Sequence, residues 1–302
     1  MSEDPKLVLV TGAAGLVGRA VVAELLQQGW RVRGLVHSPA NARELETLGC
    51  ETVIGDIRDE RAVDHAVSDA HTVIHLVAIL RPWRDLTYQL ITVEGTQRVL
   101  KASTRSGVKR FVYLSALGVS GTDSNPYMAA KWQAEEAVRT IGLDFTIFRP
   151  SYLYGKHSAF LDLLLQLTSL PIIPVVGPGR QKLQILLVND LAQCLATSIG
   201  QASASNHTYE IGGPEALEFR QILDIVCRVR GKRPRPKLSV PYALVKPFAA
   251  LGAKLIPTLP ATPDTLELLL RDSLCDIGYV QNTFGVRLTS LSEGLKKVMT
   301  PA

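Results

Sequence analysis

The chain has 302 residues, 46% of them hydrophobic and 20% charged, with a formal net charge of +5, an ordinary globular composition for one large or two intimately joined domains. Six of its cations, Arg228, Arg230, Lys232, Arg233, Arg235 and Lys237, crowd into ten positions, and without them the balance of +5 falls to −1. The basicity is therefore local, and a nucleic-acid surface is not indicated.

Four cysteines, Cys50, Cys194, Cys227 and Cys275, lie far apart with no CxxC pair. They fit neither a zinc site nor a secreted disulfide framework, so no metal is expected, and a reducing, cytoplasmic setting is. The opening "MSEDPK" carries acids rather than a basic leader, and no apolar run reaches the ~18 residues of a membrane span.

Apolar, β-rich runs recur at "LVLVTG", "VRGLVH", "ETVIGD", "HTVIHLVA", "RFVYLSA" and "DFTIFRP". Helical patterns separate them, such as "LTYQLITVEGTQRVLKASTRSG", with Gly107 placed as its stop. Six strands alternating with helices predict an α/β class: a Rossmann-like, doubly wound parallel sheet covered on both faces. Beyond residue 150 the rhythm breaks at "LPIIPVVGPGRQ". The expected division is a dinucleotide-binding domain over 1–155 and a smaller, interleaved C-terminal lobe over 156–302. About 182–200 of that lobe returns to the first domain.

The first strand runs into "TGAAGLVG". Gly12 suits a tight turn, Gly15 a close approach to a pyrophosphate, and Gly18 close packing of the following helix. Ala14, Leu16 and Val17 are expected to contact the cofactor with them. The second strand ends at His37 and Ser38 with no acid to receive a ribose hydroxyl, while Arg19 and Arg43 stand nearby. This favours a 2′-phosphate, so NADP(H) over NAD(H). In "GDIRD", Asp56 is expected either to accept from the adenine amino group, with Ile57 on the ring, or to cap a helix.

"TGAAGLVG", "GDIRD", "YMAAK" and "FRPSYLYG" occur in this order along the chain. The whole chain thereby resembles the extended and atypical short-chain dehydrogenase/reductase superfamily, the NAD-dependent epimerase/dehydratase type. Within it, the likeness points to the group around the NAD(P)H-binding accessory subunit of mitochondrial complex I. That group includes proteins linked to quinone metabolism and respiratory assembly.

The resemblance implies that Tyr127 and Lys131, i and i+4 on one helix face, do the chemistry. Lys131 would lower the Tyr127 phenol and hold the nicotinamide ribose, and Tyr127 would move a proton as hydride moves. Two family positions depart. Ala116 stands where a serine polarises the substrate, with Ser115 one residue earlier and facing the other way unless the register bends. Thr92 stands where an asparagine is usual. The resemblance also places Ala78, Arg149, Pro150, Ser151 and Tyr154 beside the cofactor or its pocket. His75 reads as a hydrogen-bonded core histidine.

Two functions stay open. One is an oxidoreductase or epimerase-type enzyme acting on a carbonyl/alcohol pair. The other is a non-catalytic nucleotide-binding subunit or assembly factor of a respiratory or quinone-related membrane complex. Leu153, Phe160 and Leu164 either line a pocket for an apolar, quinone-like substrate or belong to the core. The basic stretch leads into "YALVKPFAALGAKLI", which Pro247 is expected to interrupt. Residues 228–256 are expected either to close the lobe as a solvated basic loop and a buried helix pair, or to make a peripheral contact with a membrane or membrane complex.

Overall fold

The computed structural model describes residues 6–255 and 262–300, with side chains only to residue 252 in the first stretch. The acidic opening of the chain, the Lys254 side chain and Ile256 lie outside the described residues. Two compact units make up the chain. The first takes the chain up to Arg149, Asn189–Tyr209 and Tyr279–Val286; the second takes Pro150–Val188, Glu210–Gly278 and the chain from Arg287 on.

The first unit begins as a regular alternation: β1 (Leu7–Thr11), α1 (Leu16–Gln27), β2 (Arg31–Val36), α2 (Pro39–Glu46), β3 (Glu51–Ile54), α3 (Glu60–Val67) and β4 (Thr72–His75). A π-helical turn, Gln89–Glu94, runs into α4 (Gly95–Arg105), followed by β5 (Arg110–Leu114), α5 (Pro126–Thr140) and β6 (Asp144–Pro150). Then come β7 (Leu153–Tyr154), α6 (Ala159–Leu167), β8 (Ile173–Val176), β9 (Lys182–Leu183) and β10 (Leu186–Leu187). Helix α7 (Val188–Gly200) and β11 (His207–Ile211) return the chain to the first unit. The second unit resumes with β12 (Leu217–Glu218), α8 (Phe219–Val229), β13 (Lys237–Val240), α9 (Tyr242–Leu255) and α10 (Pro263–Leu269). Helix α11 (Gly278–Phe284) falls almost wholly in the first unit, and α12 (Leu291–Met299) in the second.

The central sheet has the order β11-β6-β5-β4-β1-β2-β3, and β1 to β6 pair in parallel. Every residue of β1 and β4 is buried, as central strands covered on both faces must be. Strand order reverses between β1 and β4. Open sheets of this kind hold ligands beyond the carboxyl ends of the strands at that switch. The core of this unit gathers Leu9, Val73, Phe111, Tyr113, Val138 and Ile147 around the sheet.

The second unit has its own core of Tyr154, Leu164, Ile173, Phe219, Ile222 and Leu295. Leu164 is wholly buried there, and Phe160 packs on Tyr152 with ring centroids 5.3 Å apart. Leu164 thus belongs to that core, and Phe160 packs against it half-buried. Helix α8 starts on a capping box between Glu218 and Gln221. Helix α9 runs straight through Pro247, where an interruption was expected. Proline leaves the carbonyl four residues earlier without its donor. That residue, Ala243, is exposed, so water can satisfy it.

Candidate functional site

The β1–α1 turn is shaped by its glycines. Gly12 sits at φ +71°, a conformation that side chains other than hydrogen rarely adopt. Its carbonyl accepts from the Gly15 N–H at 2.9 Å. Gly15 is the N-cap of α1 and offers no side-chain cap. The first N–H groups of α1 are therefore open to an external acceptor, and no acid stands in its first turn. A Cβ on Gly18 would drive into the Gly12 carbonyl and the Ala13 backbone. Gly18 thus lets α1 pack on the glycine turn itself. This cradle fits a dinucleotide pyrophosphate. Ala14, Leu16 and Val17 are half-buried around it.

Beyond β2, His37 is exposed, Ser38 caps α2 by accepting from the Asn41 N–H at 3.3 Å, and Arg43 is exposed on α2. Arg19 is not a free cation. Its guanidinium grips Glu44 through Nε–Oε1 at 2.7 Å and a second bond at 2.8 Å, and also donates to the Ala14 carbonyl. Asp56 is held by Arg58, whose backbone N–H and Nε donate to it at 2.8 and 2.9 Å. The hydrogen bonds from Arg58 hold its carboxyl below the usual range. The cap of α3 is Asp59, so Asp56 does not cap that helix. Ile57 is buried, and a Cβ on Gly95 would come within 3.2 Å of it. Ala78 is half-buried in the segment after β4.

Strand β4 delivers His75 into a buried polar chain. Thr11 Oγ1 lies 2.7 Å from His75 Nδ1, and Thr96 Oγ1 lies 3.0 Å from Nε2. The Thr96 hydroxyl donates to the Thr92 carbonyl at 2.5 Å. It must then accept from Nε2–H, which leaves Nδ1 as acceptor from Thr11. Burial, reinforced by the Lys131 charge, lowers the His75 imidazole to about 3. The ring is neutral and structural. The Thr92 hydroxyl itself is buried with no protein partner.

Helix α5 starts at Pro126 behind an Asn125 cap, whose Oδ1 accepts from the Tyr127 and Met128 N–H groups. Steps of four residues carry Tyr127, Lys131, Glu135 and Arg139 along one face. Tyr127 is half-buried, edge-on to Tyr88 at 6.0 Å between centroids. Burial raises its phenol to about 12. Lys131 is fully buried. Its Nζ donates to the Leu114 carbonyl at 2.6 Å and to Tyr113 Oη at 3.5 Å, and lies 4.9 Å from the Tyr113 ring centroid. Burial lowers its ammonium to about 7, against the opposing pull of the Glu135 carboxylate. In this geometry burial sets the Tyr127 phenol, and the lysine is anchored on the end of β5.

The register of β5 does not bend at Ser115. Its N–H continues the ladder to the Phe148 carbonyl at 2.7 Å, and its hydroxyl donates to Glu135 Oε1 at 2.5 Å. The hydroxyl proton is thereby committed to a buried carboxylate. Glu135 also receives Arg149 Nε at 2.9 Å and Arg139 at 2.6 Å. Burial pushes its carboxyl up, but Arg149, Ser115 and Arg139 together hold it below the usual range. Arg149 is spent on this cluster. Pro150 and Ser151 open the second unit, where the Ser151 hydroxyl lies 2.8 Å from that of Ser273. Tyr154 is wholly buried in that unit's core.

Sequence reasoning missed Glu135 and Glu44. The first was signalled by the four-residue ladder continuing past Lys131. The second carried no local signal, because its partner lies 25 positions away.

Comparison with known proteins places the chain in a family. The model of the NAD dependent epimerase/dehydratase family matches residues 8–212. The mitochondrial NADH-ubiquinone oxidoreductase 40 kDa subunit of Neurospora crassa is 26% identical over 271 residues, spanning 88% of this chain and 71% of that one. The ceramide reductase of Caulobacter vibrioides is 29% identical over 264 residues, spanning 83% and 81%. The structure of the Citrobacter sp. triphenylmethane reductase, complexed with NADP(H), shares the fold at a TM-score of 0.78 and 22% identity, covering 97% of this chain and all of that one.

Proposed function

Since the chain belongs to the NAD dependent epimerase/dehydratase family, we propose that it is an NAD(P)-dependent oxidoreductase that reduces a carbonyl to an alcohol. The observation that carries this is the shared face of α5, with Tyr127 and Lys131 one turn apart. A bound nicotinamide would supply the hydride. Gly12, Gly15 and Gly18 would seat its pyrophosphate at the start of α1.

A phenol raised to about 12 stays protonated at neutral pH, so Tyr127 Oη holds a proton for the oxygen of a carbonyl substrate. Lys131 would meet the nicotinamide ribose after leaving the Leu114 carbonyl. The Ser115 hydroxyl is engaged by Glu135, so Thr92, with its unpaired buried hydroxyl, is the group left to assist at the substrate oxygen. The acid-free end of β2 at His37 supports NADP(H) over NAD(H), with Arg43 and His37 meeting a 2′-phosphate. Asp56, Ile57 and Ala78 would border the adenosine and nicotinamide halves. A reductase of ceramide among the relatives supports an apolar substrate class.

A second reading, a nucleotide-binding subunit without turnover, is favoured by the Ser115–Glu135 bond and the complex I relative. Native mass spectrometry should find a nicotinamide nucleotide carried through purification. NADPH oxidation is then measured against ketones, aldehydes and quinones. Tyr127→Phe should keep nucleotide affinity and lose roughly 100-fold or more in turnover. Nucleotide binding with no oxidation of NADPH by any carbonyl or quinone would establish the subunit reading instead.

A further inference from the structure

Residues 225–263 hold eight cations and not one Asp or Glu. In the second unit, two of those cations are tied down. Arg230 donates to the Leu165 carbonyl at 2.7 Å and to Thr168 at 2.8 Å, and Lys237 meets Asp224 at 2.5 Å. Arg228, Lys232, Arg233 and Arg235 make no ion pair among the described residues, and Arg228 and Arg233 are exposed. The short strand β13 joins this basic loop directly to α9.

Helix α9 is not a buried closing element. Leu244, Phe248 and Leu251 are 61%, 75% and 57% exposed. At steps of four and three residues they share one helix face. Leu238, at the start of the connection, is 59% exposed. Lys246 sits on the same helix, with its ammonium 6.0 Å from the Tyr242 ring centroid. Its 14 described residues are too few to cross a bilayer.

We propose that α9 and the basic loop before it form a peripheral docking surface for an anionic phospholipid membrane. The apolar face enters the interface while the free cations meet lipid phosphates. Charge argues against a second copy of this chain as the occupant. A two-fold interface would set the same patch against itself, bringing two acid-free basic stretches together. The surface lies wholly in the second unit and does not depend on the nucleotide chemistry proposed for the first.

Flotation of the full chain tests this, with vesicles of phosphatidylcholine alone or mixed with phosphatidylglycerol. The wild type should float only with the anionic vesicles, and less as salt rises. Changing Arg228, Lys232, Arg233 and Arg235 to Gln should lower partitioning roughly 1,000-fold. Changing Leu244, Phe248 and Leu251 to Ser should lower it by about 10-fold or more. Both variants should keep wild-type nucleotide affinity and circular dichroism. The exposed single changes Phe248→Ser and Arg233→Gln carry the same test in smaller steps if a multiple variant misfolds. The proposal is overturned if wild type stays unbound at low salt, floats equally with neutral vesicles, or floats no better than the variants. It is also overturned if light scattering shows a dimer that Phe248→Ser dissolves while no vesicle binds.

Discussion

Replacing Lys131 with methionine should stabilise the protein at neutral pH while weakening its grip on nucleotide. The ammonium is fully buried, and its pKa falls from 10.5 to about 7. The unfolded chain therefore binds a proton between pH 7 and 10.5 that the folded chain does not hold, so wild-type stability rises with pH across that window. At pH 7 the burial penalty is about 4 kcal/mol. Methionine has similar volume and no charge, but strands the Leu114 carbonyl, which now accepts from Nζ at 2.6 Å. An orphaned buried acceptor costs ~1–3 kcal/mol. The net gain is ~2 kcal/mol, or about 3 °C in Tm for a chain of this size. As pH approaches 10.5 the wild-type penalty vanishes, and the variant becomes the less stable of the two. Thermal melts of both proteins at pH 6, 8 and 10 check this, with calorimetry for nucleotide affinity. A variant that melts below wild type at pH 6, or a gap independent of pH, would refute a lysine whose burial lowers its proton affinity at a cost to the fold.

Other expectations follow from single contacts. Gly15→Asp places a carboxylate at the N-terminus of α1 and should abolish nucleotide binding by calorimetry, while wild type should bind NADPH more tightly than NADH. Glu44→Gln releases Arg19 from its bidentate partner; titrations should show NADPH affinity rising several-fold with NADH affinity unchanged, and equal changes for both would remove Arg19 from 2′-phosphate recognition. Glu135→Ala leaves Arg149 largely buried without its carboxylate and should cost about 3–5 kcal/mol in chemical denaturation at pH 7. Because the Glu135 carboxyl is held below its usual value, its contribution is present above the unfolded pKa, and the gap between variant and wild type should close as pH falls through the folded one.

Much of the first unit was legible locally. Six apolar runs with a helical pattern between successive strands already imply a parallel sheet, because parallel neighbours need a crossover connection and a helix is the usual one. Gly12 at positive φ and Gly18 under the turn are positions whose demand for glycine is set by the nearest few residues. The same holds for Tyr127 and Lys131, which helix periodicity alone puts on one face.

What the sequence could not assign is which charges cancel. Arg19 read as a free cation until α2 brought Glu44 against it. Arg149 read as a pocket group until α5 brought Glu135 between it and Ser115. The burial of Lys131, and with it the ammonium lowered to about 7, arises from strands and helices far apart in the chain. In the second unit, "YALVKPFAALGAKLI" has the composition of a buried helix, and only the folded chain leaves Leu244, Phe248 and Leu251 facing out. Periodicity is a property of neighbours along the chain, so sequence conveys it. Desolvation and ion pairing depend on what folding brings across from elsewhere, so they belong to the tertiary structure alone.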